Sequence, residues 1–278
     1  MKKFEKSDLQ KLYKPPVNSN GEQNGQLTII GGSKLFHGAP LLSLRVASRI
    51  VDMVFFSSPE SSMQEITSYI KADLSSFIWV DWDEIEDYIK KSDAILIGPG
   101  FMRYHKEKDR HKAEECDEAC QLTKSTTEDL LSKFSDKKWV IDAGSLQTMD
   151  PKFIPENSIL TPNKKEYEIL FGSLDPIDAS KKYKCVIVLK GPKTSVYFKD
   201  EVVEVDGGNA GLTKGGTGDV LAGLAASLLT KNDSLLSACA SSYIVKTTAD
   251  ELYKKVGISY NSDDLADSIP SVMAFLLK

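Results

Sequence analysis

Apolar residues recur along this chain in short runs that end in glycine, proline or charged residues. Runs of this length, rich in Ile, Val, Leu and Phe, are typical of strands that are buried on both faces of a sheet. The pattern predicts such strands at residues 26–30, 53–56, 77–80, 93–97, 139–141, 159–161 and 185–189. Two further runs, 195–198 and 201–205, predict a β-hairpin about Lys199 and Asp200.

Helices are predicted between the strands. In residues 38–51, Leu41 and Leu44 recur at helical spacing behind Pro40, a residue that is tolerated early in a helix. Residues 220–229 are apolar on every face, which predicts a helix that is buried on all sides. Further helices are predicted around Tyr167, over residues 233–254 and 262–277, and, as an exposed helix after a loop, within the strongly charged residues 102–137.

Strands that alternate with helices in this way predict an α/β fold of three layers, in which a mainly parallel central sheet is flanked by helices. We predict a single domain over residues 1–278. Residues 1–25 are expected to form an irregular arm, because they are polar and contain proline, asparagine and glycine clusters. Glycines follow several strands, so ligands are expected at the carboxyl edge of the sheet.

The composition narrows the class of protein. A chain of 278 residues with 41% hydrophobic and 27% charged residues is ordinary for a globular protein. A net charge of −5 argues against a nucleic-acid surface, and no apolar run is long enough to span a membrane. The four cysteines and three histidines match neither a disulfide framework nor a zinc site. Free thiols and a cytoplasmic location are therefore expected.

The densest cluster of glycines, residues 207–218, directly precedes the helix that is predicted at 220–229. Backbone N–H groups at a helix N-terminus have no helical partner and the helix dipole is positive there, so residues 215–218 predict a phosphate site. Asp219 follows in the first helical turn. It is expected either to cap the helix or to accept the proton of a hydroxyl that attacks a phosphoryl group.

Polar residues after other strands are further candidates. Lys190 ends a strongly apolar strand and is expected to be a point charge for phosphate, or else a solvated surface lysine. Asp142 is expected to position a metal or substrate, or to cap the turn that follows it. Asn163 and Glu166 are three residues apart at a predicted helix start, which favours a capping pair.

Residues 208–223 resemble the signature G-N-x-G-x-x-x-G-G-T-G-D-V-L-A/T-G of the ADP/ATP-dependent NAD(P)H-hydrate dehydratases, a branch of the ribokinase-like superfamily. Shorter matches are G-A-P at 38–40, G-P-G at 98–100 and K-G-x-x-T at 190–194. The resemblance covers most of the chain and implies a ribokinase-like fold.

The resemblance also implies roles for individual residues. Asp219 would be the catalytic base, and the N–H groups of Gly216, Thr217 and Gly218 would stabilise the transferring phosphoryl group. The substrate-binding residues would be Ala39, Gly100, Asn163 and Asp219, and the nucleotide-binding residues would be Lys190, Gly191, Pro192, Lys193, Thr194, Asn209 and Gly218.

Two positions depart from the family pattern. Asn163 stands where the dehydratases have a histidine that touches the substrate, and Gly144 stands where they have a second aspartate. With Glu166, Asn163 forms the N-x-x-E motif by which ribokinase-like kinases organise magnesium and phosphate. Glu166 is therefore predicted to approach a metal indirectly, and the motif slightly favours a kinase.

The function that the resemblance implies is nucleotide-dependent dehydration of hydrated NAD(P)H, a metabolite-repair reaction. ADP or ATP would phosphorylate the C6 hydroxyl of the nicotinamide, with ADP favoured, and loss of phosphate would restore the reduced cofactor. Mg²⁺ would bridge the nucleotide phosphates. We expect a homo-oligomer such as a tetramer, with no nucleic-acid or membrane partner. The alternatives are a kinase of a vitamin or sugar alcohol and a non-catalytic nucleotide-binding module.

Overall fold

The computed structural model describes residues 2–70, 73–103 and 117–278, with the side chain of Ile70 left aside. Its strands are β1 (Lys2–Lys3), β2 (Gln26–Ile30), β3 (Met53–Ser57), β4 (Ile78–Trp79), β5 (Ala94–Ile97), β6 (Lys138–Ile141), β7 (Ile159–Leu160), β8 (Val186–Leu189), β9 (Thr194–Phe198) and β10 (Glu201–Val205). Its α-helices are α1 (Gly38–Ala47), α2 (Ser62–Ile70), α3 (Ile85–Lys91), α4 (Glu118–Lys133), α5 (Ala143–Thr148), α6 (Lys164–Phe171), α7 (Pro176–Tyr183), α8 (Thr217–Leu229), α9 (Ser234–Val256) and α10 (Ser262–Leu276).

The strands form one sheet in the order β1-β10-β9-β8-β7-β6-β5-β2-β3-β4. In the centre, Ala94 of β5 pairs with Leu27 of β2 and with Lys138 of β6, all in parallel. Of the strands described, β9 alone runs antiparallel to its neighbours β8 and β10, which confirms the predicted hairpin. The mainly parallel sheet is confirmed as well.

Helices cover both faces of the sheet, because alternate side chains of each central strand point to opposite sides. In β5, Ala94 and Leu96 pack with apolar residues of α1, α8, α9 and α10. Ile95 and Ile97 of the same strand pack with residues of α3, α4, α5, α6 and α7. The two resulting cores confirm the three-layer prediction.

Helix α8 is buried on all sides, as its uniformly apolar sequence predicted. It packs against α1, α9 and α10 as well as against β5 and β6, and residues 220–229 are all buried. Gly223 permits the closest approach to α1, since a Cβ atom there would lie 2.6 Å from Ser43 Cα. This packing fixes the position of the helix N-terminus, where the phosphate site is predicted.

The arm at residues 1–25 contains more structure than predicted. β1 pairs in parallel with β10, and a 3-10 helix covers Lys6–Lys11. Phe4, Leu9 and Leu12 are buried in the core beneath α9 and α10. Three isolated apolar residues in a polar stretch carry no clear periodicity, so the sequence pattern did not reveal that they anchor the arm.

The charged stretch 102–137 contains a partly buried helix rather than an exposed one. Thr127 and Leu131 of α4 are fully buried, and its Asp117 cap accepts a hydrogen bond from the backbone N–H of Cys120. Residues 104–116, which include two of the three histidines, lie outside the described residues.

The cysteines agree only partly with the expectation of free thiols. Cys185 and Cys239 are free and buried. Cys120 is disulfide-bonded, so the prediction is wrong for that residue. None of the helices in the described ranges combines the length and the apolar character that are needed to cross a bilayer.

Candidate active site

The candidate site lies at the carboxyl edge of the sheet, where the predicted glycine turns and polar residues meet. Asp142 directly follows β6, Thr161 follows β7 and Lys190 follows β8. Because these strands are parallel neighbours, their carboxyl ends bring the three side chains together.

Lys190 pairs with two carboxylates. Its Nζ atom lies 3.1 Å from Asp142 Oδ1 and 3.6 Å from Glu166 Oε2, and only 22% of its side chain is exposed. Burial alone would lower the pKa of Lys190, but the carboxylates of Asp142 and Glu166 outweigh it and raise the pKa. Lys190 is therefore a half-buried cation that pairs with two carboxylates, and its interpretation as a solvated surface lysine is wrong.

Neighbouring polar groups orient the two carboxylates. Thr161 Oγ1 donates to Asp142 Oδ1 at 2.7 Å, and Gln147 Nε2 donates to Glu166 Oε1 at 3.1 Å. Arg103 Nη1 in turn donates to Gln147 Oε1 at 2.9 Å. Sequence analysis missed Thr161, Gln147 and Arg103, since their only signal is their position near the strand ends.

Asn163 and Glu166 form the predicted capping pair at the start of α6. The Glu166 N–H donates to Asn163 Oδ1 at 3.0 Å, and the Asn163 N–H donates to Glu166 Oε2 at 2.8 Å. Burial raises the pKa of Glu166, Lys190 opposes this shift and Asp142 adds to it. The cap thus also holds Glu166 against Lys190, so the structural and the functional interpretation of this pair are compatible.

Asp219 is not the N-cap residue of α8. The helix begins after Gly216, whose φ of 91° is left-handed and which has no side chain to cap the first turn. The side chain of Asp219 lies in the first turn and is half-buried. Burial raises the pKa of Asp219 to about 7, helped by Asp142 and Glu166 and opposed by Lys190. A carboxyl group in this state can accept a proton near neutral pH.

Lys190 and the α8 N-terminus face the same point. A Cβ atom added to Gly218 would lie 3.3 Å from Lys190 Nζ. An ammonium group and the positive end of a buried helix therefore converge there, which is an arrangement suited to a phosphate. The single positive charge of Lys190 is already shared with two carboxylates, so an incoming phosphate competes with them.

A cavity of about 680 Å³ opens beside this point. Most of the predicted nucleotide-binding residues line it, together with two other predicted site residues, Asn163 and Thr217. Its lining includes Asn163, Lys190, Gly191, Pro192, Thr194, Asn209, Thr217 and Gly218.

Lys193 is the predicted nucleotide-binding residue that the structure does not bring into this cavity. Its side chain is 75% exposed, and its Nζ atom lies 3.4 Å from Glu204 Oε1. It lines a neighbouring cavity on the α6 side of the same turn, together with Tyr167. A role in nucleotide binding therefore has less support for Lys193 than for Lys190.

Asn209 holds the glycine segment in place. Its Oδ1 atom accepts from the N–H of Gly211 at 3.0 Å and from the hydroxyl of Tyr260 at 2.8 Å. Its Nδ2 atom donates to Asp250 Oδ1 at 3.1 Å, and Asp250 Oδ2 accepts from the N–H of Gly208 at 2.9 Å. Tyr260 and Asp250 were not found in the sequence, because they are distant along the chain and carry no motif.

Gly100 lies against the start of α1, the helix that contains Ala39. A Cβ atom at Gly100, where φ is 76°, would lie 2.3 Å from the Phe36 carbonyl oxygen and 3.0 Å from Pro40 Cδ. Ala39 is in the first turn of α1. The hydroxyl of Ser43 in α1 donates to the Asp219 carbonyl at 2.8 Å, which ties this side of the site to α8.

Asp142 and Gly144 also have clear structural roles. Asp142 precedes α5 but makes no side-chain cap, so its interpretation as a cap is wrong, and its carboxylate faces Lys190 instead. A Cβ atom at Gly144 would lie 2.4 Å from the Phe101 carbonyl oxygen. The aspartate that the family pattern has at this position would not fit here without a backbone shift.

Replacing Gly216 with alanine should destabilise the fold by about 1–3 kcal/mol. Its φ is left-handed, and a Cβ atom would lie 2.5 Å from both Leu42 Cδ1 and Ser262 Oγ. Gly215→Ala is the matched control, because no atom lies within 4 Å of its Cβ position. Urea unfolding measures both. Equal losses of stability in the two variants would show that the α8 turn does not require glycine at position 216.

Known proteins are similar to this chain in sequence. The family model of NAD(P)H-hydrate dehydratase matches residues 27–271. The bifunctional NAD(P)H-hydrate repair enzyme Nnr of Methanocaldococcus jannaschii is 36% identical over 274 residues, which cover 96% of this chain and 51% of that protein. The ADP-dependent (S)-NAD(P)H-hydrate dehydratase of Nitrosopumilus maritimus is 29% identical, with 90% of this chain and 89% of that protein covered. The chain thus spans about half the length of the bifunctional relatives.

Solved structures share its fold. The ADP/ATP-dependent NAD(P)H-hydrate dehydratase of Bacillus subtilis, co-crystallized with ATP/Mg²⁺, has a TM-score of 0.78 at 22% identity, covering 99% of this chain and 98% of the other. A ribokinase-like superfamily protein of Enterococcus faecalis has a TM-score of 0.77 at 19% identity, covering 99% and 96%. These likenesses confirm the predicted ribokinase-like fold.

Proposed function

Because the chain belongs to the NAD(P)H-hydrate dehydratase family, we propose that it restores NAD(P)H from the hydrated cofactor at the expense of ADP or ATP. One observation carries the proposal. Asp219, with a pKa raised to about 7, stands beside an anion site that is built from Lys190 and the α8 N-terminus, which begins at a glycine. A base next to a phosphate site is what transfer of a phosphoryl group to a hydroxyl requires.

In the first step, the C6 hydroxyl of the hydrated nicotinamide attacks the terminal phosphorus of the nucleotide. A bond forms between the hydroxyl oxygen and phosphorus, the bond from phosphorus to its bridging oxygen breaks, and AMP leaves when ADP is the donor. The hydroxyl proton passes to Asp219. The C6–O bond then breaks, phosphate leaves with the electron pair, and the C5 proton passes to solvent as the C5–C6 double bond of the reduced cofactor forms.

The α8 N-terminus and Lys190 act on the phosphoryl group during this transfer. The N–H groups of Gly216, Thr217 and Gly218 lie at the positive end of the helix and would donate to its oxygens. Lys190, 3.3 Å from the Cβ position of Gly218, would neutralise part of the negative charge. The helix end is already in place, because α8 is packed on all sides, whereas Lys190 would share its charge between the phosphate and its two carboxylates.

The donor atoms of the site fit Mg²⁺ that is held mainly by nucleotide phosphates. In the described part of the chain, no group of three or more His, Cys, Asp or Glu residues is arranged to hold a metal. Asp142 and Glu166 already face Lys190, so Glu166 would approach the ion through water. Bound Mg²⁺ would neutralise phosphate charge beside the same helix end.

The direct test is recovery of the reduced nicotinamide. Purified protein with hydrated NADH, Mg²⁺ and ADP or ATP should restore its absorbance and release AMP and phosphate, or ADP and phosphate. Matched reactions without nucleotide and with the Asp219→Asn variant should stay near the baseline. No recovery with either nucleotide would refute the proposal.

The N-x-x-E pair formed by Asn163 and Glu166 keeps one alternative open, a ribokinase-like kinase of a vitamin or sugar alcohol. Such a kinase would leave a stable phosphorylated product without releasing phosphate, so product analysis separates the two activities. Assembly as a homo-oligomer and location in the cytoplasm stay predictions. Light scattering of the purified protein tests the assembly.

A further inference from the structure

Lys246 is a buried lysine beside the nucleotide cavity that none of the functional motifs includes. It lies on α9, lines the cavity, and is 5% exposed. Its Nζ atom donates to the carbonyl oxygen of Pro192 at 2.9 Å and to that of Gly207 at 3.0 Å. The ammonium group of this lysine therefore forms hydrogen bonds with two backbone carbonyls in place of those it would form with water.

The two acceptors belong to different walls of the cavity. Pro192 lies in the turn between β8 and β9, and Gly207 lies in the segment after β10 that leads to the glycine cluster. The stem of Lys246 also packs on this segment, since a Cβ atom at Gly208 would lie 3.1 Å from Lys246 Cγ. One turn further along α9, Asp250 accepts from the Gly208 N–H at 2.9 Å.

We propose that Lys246 is a positioning residue that sets the nucleotide cavity by bridging the turn at Pro192 to the segment at Gly207. The bridge keeps the predicted phosphate-side residues, Lys190 to Thr194, at a fixed distance from Asn209 and the glycine cluster. The proposal rests on the proposed function for the identity of the ligand, a nucleoside di- or triphosphate.

Lys138 offers a matched control elsewhere in the protein. Its Nζ atom also donates to two backbone carbonyls, those of Leu229 at 3.1 Å and Asn232 at 3.2 Å. It begins β6, so it lies at the amino edge of the sheet, opposite the site. Burial lowers the pKa of both Lys138 and Lys246, so the two lysines are desolvated in the same sense. The two lysines differ in their distance from the cavity and in exposure, since Lys138 is exposed and Lys246 is buried.

The experiment compares Lys246→Met, Lys246→Gln and Lys138→Met by calorimetric titration with Mg·ADP and Mg·ATP, by melting temperature and by steady-state kinetics. Lys246→Met should raise the Kd of both nucleotides about tenfold or more, because two hydrogen bonds from a charged donor are lost. Turnover at saturating nucleotide should stay within about twofold. Lys246→Gln, which keeps an N–H donor on a shorter side chain, should fall between wild type and Lys246→Met.

Lys138→Met should lower the melting temperature by less than Lys246→Met, because Lys138 is exposed, and should leave nucleotide Kd within about twofold of wild type. An unchanged Kd in Lys246→Met, or an equal rise in Lys138→Met, would overturn the proposal, and so would a fall in turnover without a rise in Kd. If Lys246→Met does not fold, Lys246→Gln is compared with Lys138→Met instead. A higher nucleotide Kd in Lys246→Gln supports the proposal, and equal Kd values overturn it. Nucleotide binding is measured without hydrated cofactor, so the result stands apart from the outcome of the dehydratase assay.

Discussion

Asp219→Asn should reduce turnover by about 10²-fold or more, the usual scale for loss of a general base. Asparagine has nearly the same size but cannot accept the proton of the attacking hydroxyl. Nucleotide affinity should persist or improve, because a negative charge beside Lys190 and the phosphate site is removed. Steady-state kinetics and calorimetric titration measure the two quantities. Near-normal turnover would remove Asp219 from the mechanism.

The pH dependence gives a second test of Asp219. Only the ionised carboxylate can act as the base, and its pKa is raised to about 7. The kcat/KM of the wild-type protein should therefore rise as the pH increases through about 7 and level off above it. The residual activity of Asp219→Asn should lack this rise. A wild-type profile that is flat from pH 5 to 9 would contradict the assignment.

Stability should respond to Asp219 with a defined sign. Its pKa is about 7 in the folded state and near the model-compound value of 3.8 when unfolded, so the folded state binds a proton more tightly. This group therefore disfavours folding increasingly as the pH rises from about 4 to about 7. Asparagine carries no such cost. The melting temperature of Asp219→Asn relative to wild type should increase over that range and stay constant above it.

Lys190→Met should have the second largest effect, on both stability and binding. It leaves Asp142 and Glu166 buried without a counter-charge, which should cost about 3 kcal/mol of unfolding free energy, the low end for a buried pair. The low end applies because 22% of the Lys190 side chain is exposed. Nucleotide affinity should fall about 10- to 100-fold, because an ammonium–phosphate contact is lost.

Acid should partly rescue Lys190→Met. Lys190 opposes the raised pKa of Glu166, so without the ammonium group the pKa of Glu166 rises further; the folded variant then binds more protons than the unfolded state, and stability increases as the pH falls. The deficit in melting temperature should therefore be smaller at pH 5 than at pH 8. Lys90→Met, which removes an exposed pair with Asp87, is the control and should show almost no deficit. A pH-independent deficit for Lys190→Met would mean that the carboxylates do not depend on Lys190.

The sequence predicted the layers of this fold well because strand runs and helical spacing are local signals. The run at 220–229 is apolar on every face, and the corresponding helix is packed on every face. The anchoring of Phe4, Leu9 and Leu12 was missed. These three separate apolar residues become buried only when β1 pairs with β10, some 200 residues away in sequence, so no local pattern reveals them.

The site was predicted where a motif carries the chemistry, as with Asp219, Lys190 and Gly218. The residues that contact them were not predictable, because those contacts arise only in the folded structure and leave no local pattern in the sequence. Thr161 follows β7, Gln147 lies in α5 and Lys246 lies in α9, and they share only the edge of the sheet at which they meet the site. Alternatives that the sequence left open were decided by hydrogen bonds: Asp142 faces Lys190 rather than capping α5, and Asn163 does cap α6.

The pairing of β1 with β10 has a consequence for biosynthesis. Lys2 is synthesised before its partner Val203, which is made only after most of the sheet. Phe4, Leu9 and Leu12 therefore stay exposed while the central parallel strands are assembled, and they dock late, after the β9–β10 hairpin exists. The segment that holds β1 closes this fold last, and during that interval its apolar residues are available to a chaperone or to another nascent chain.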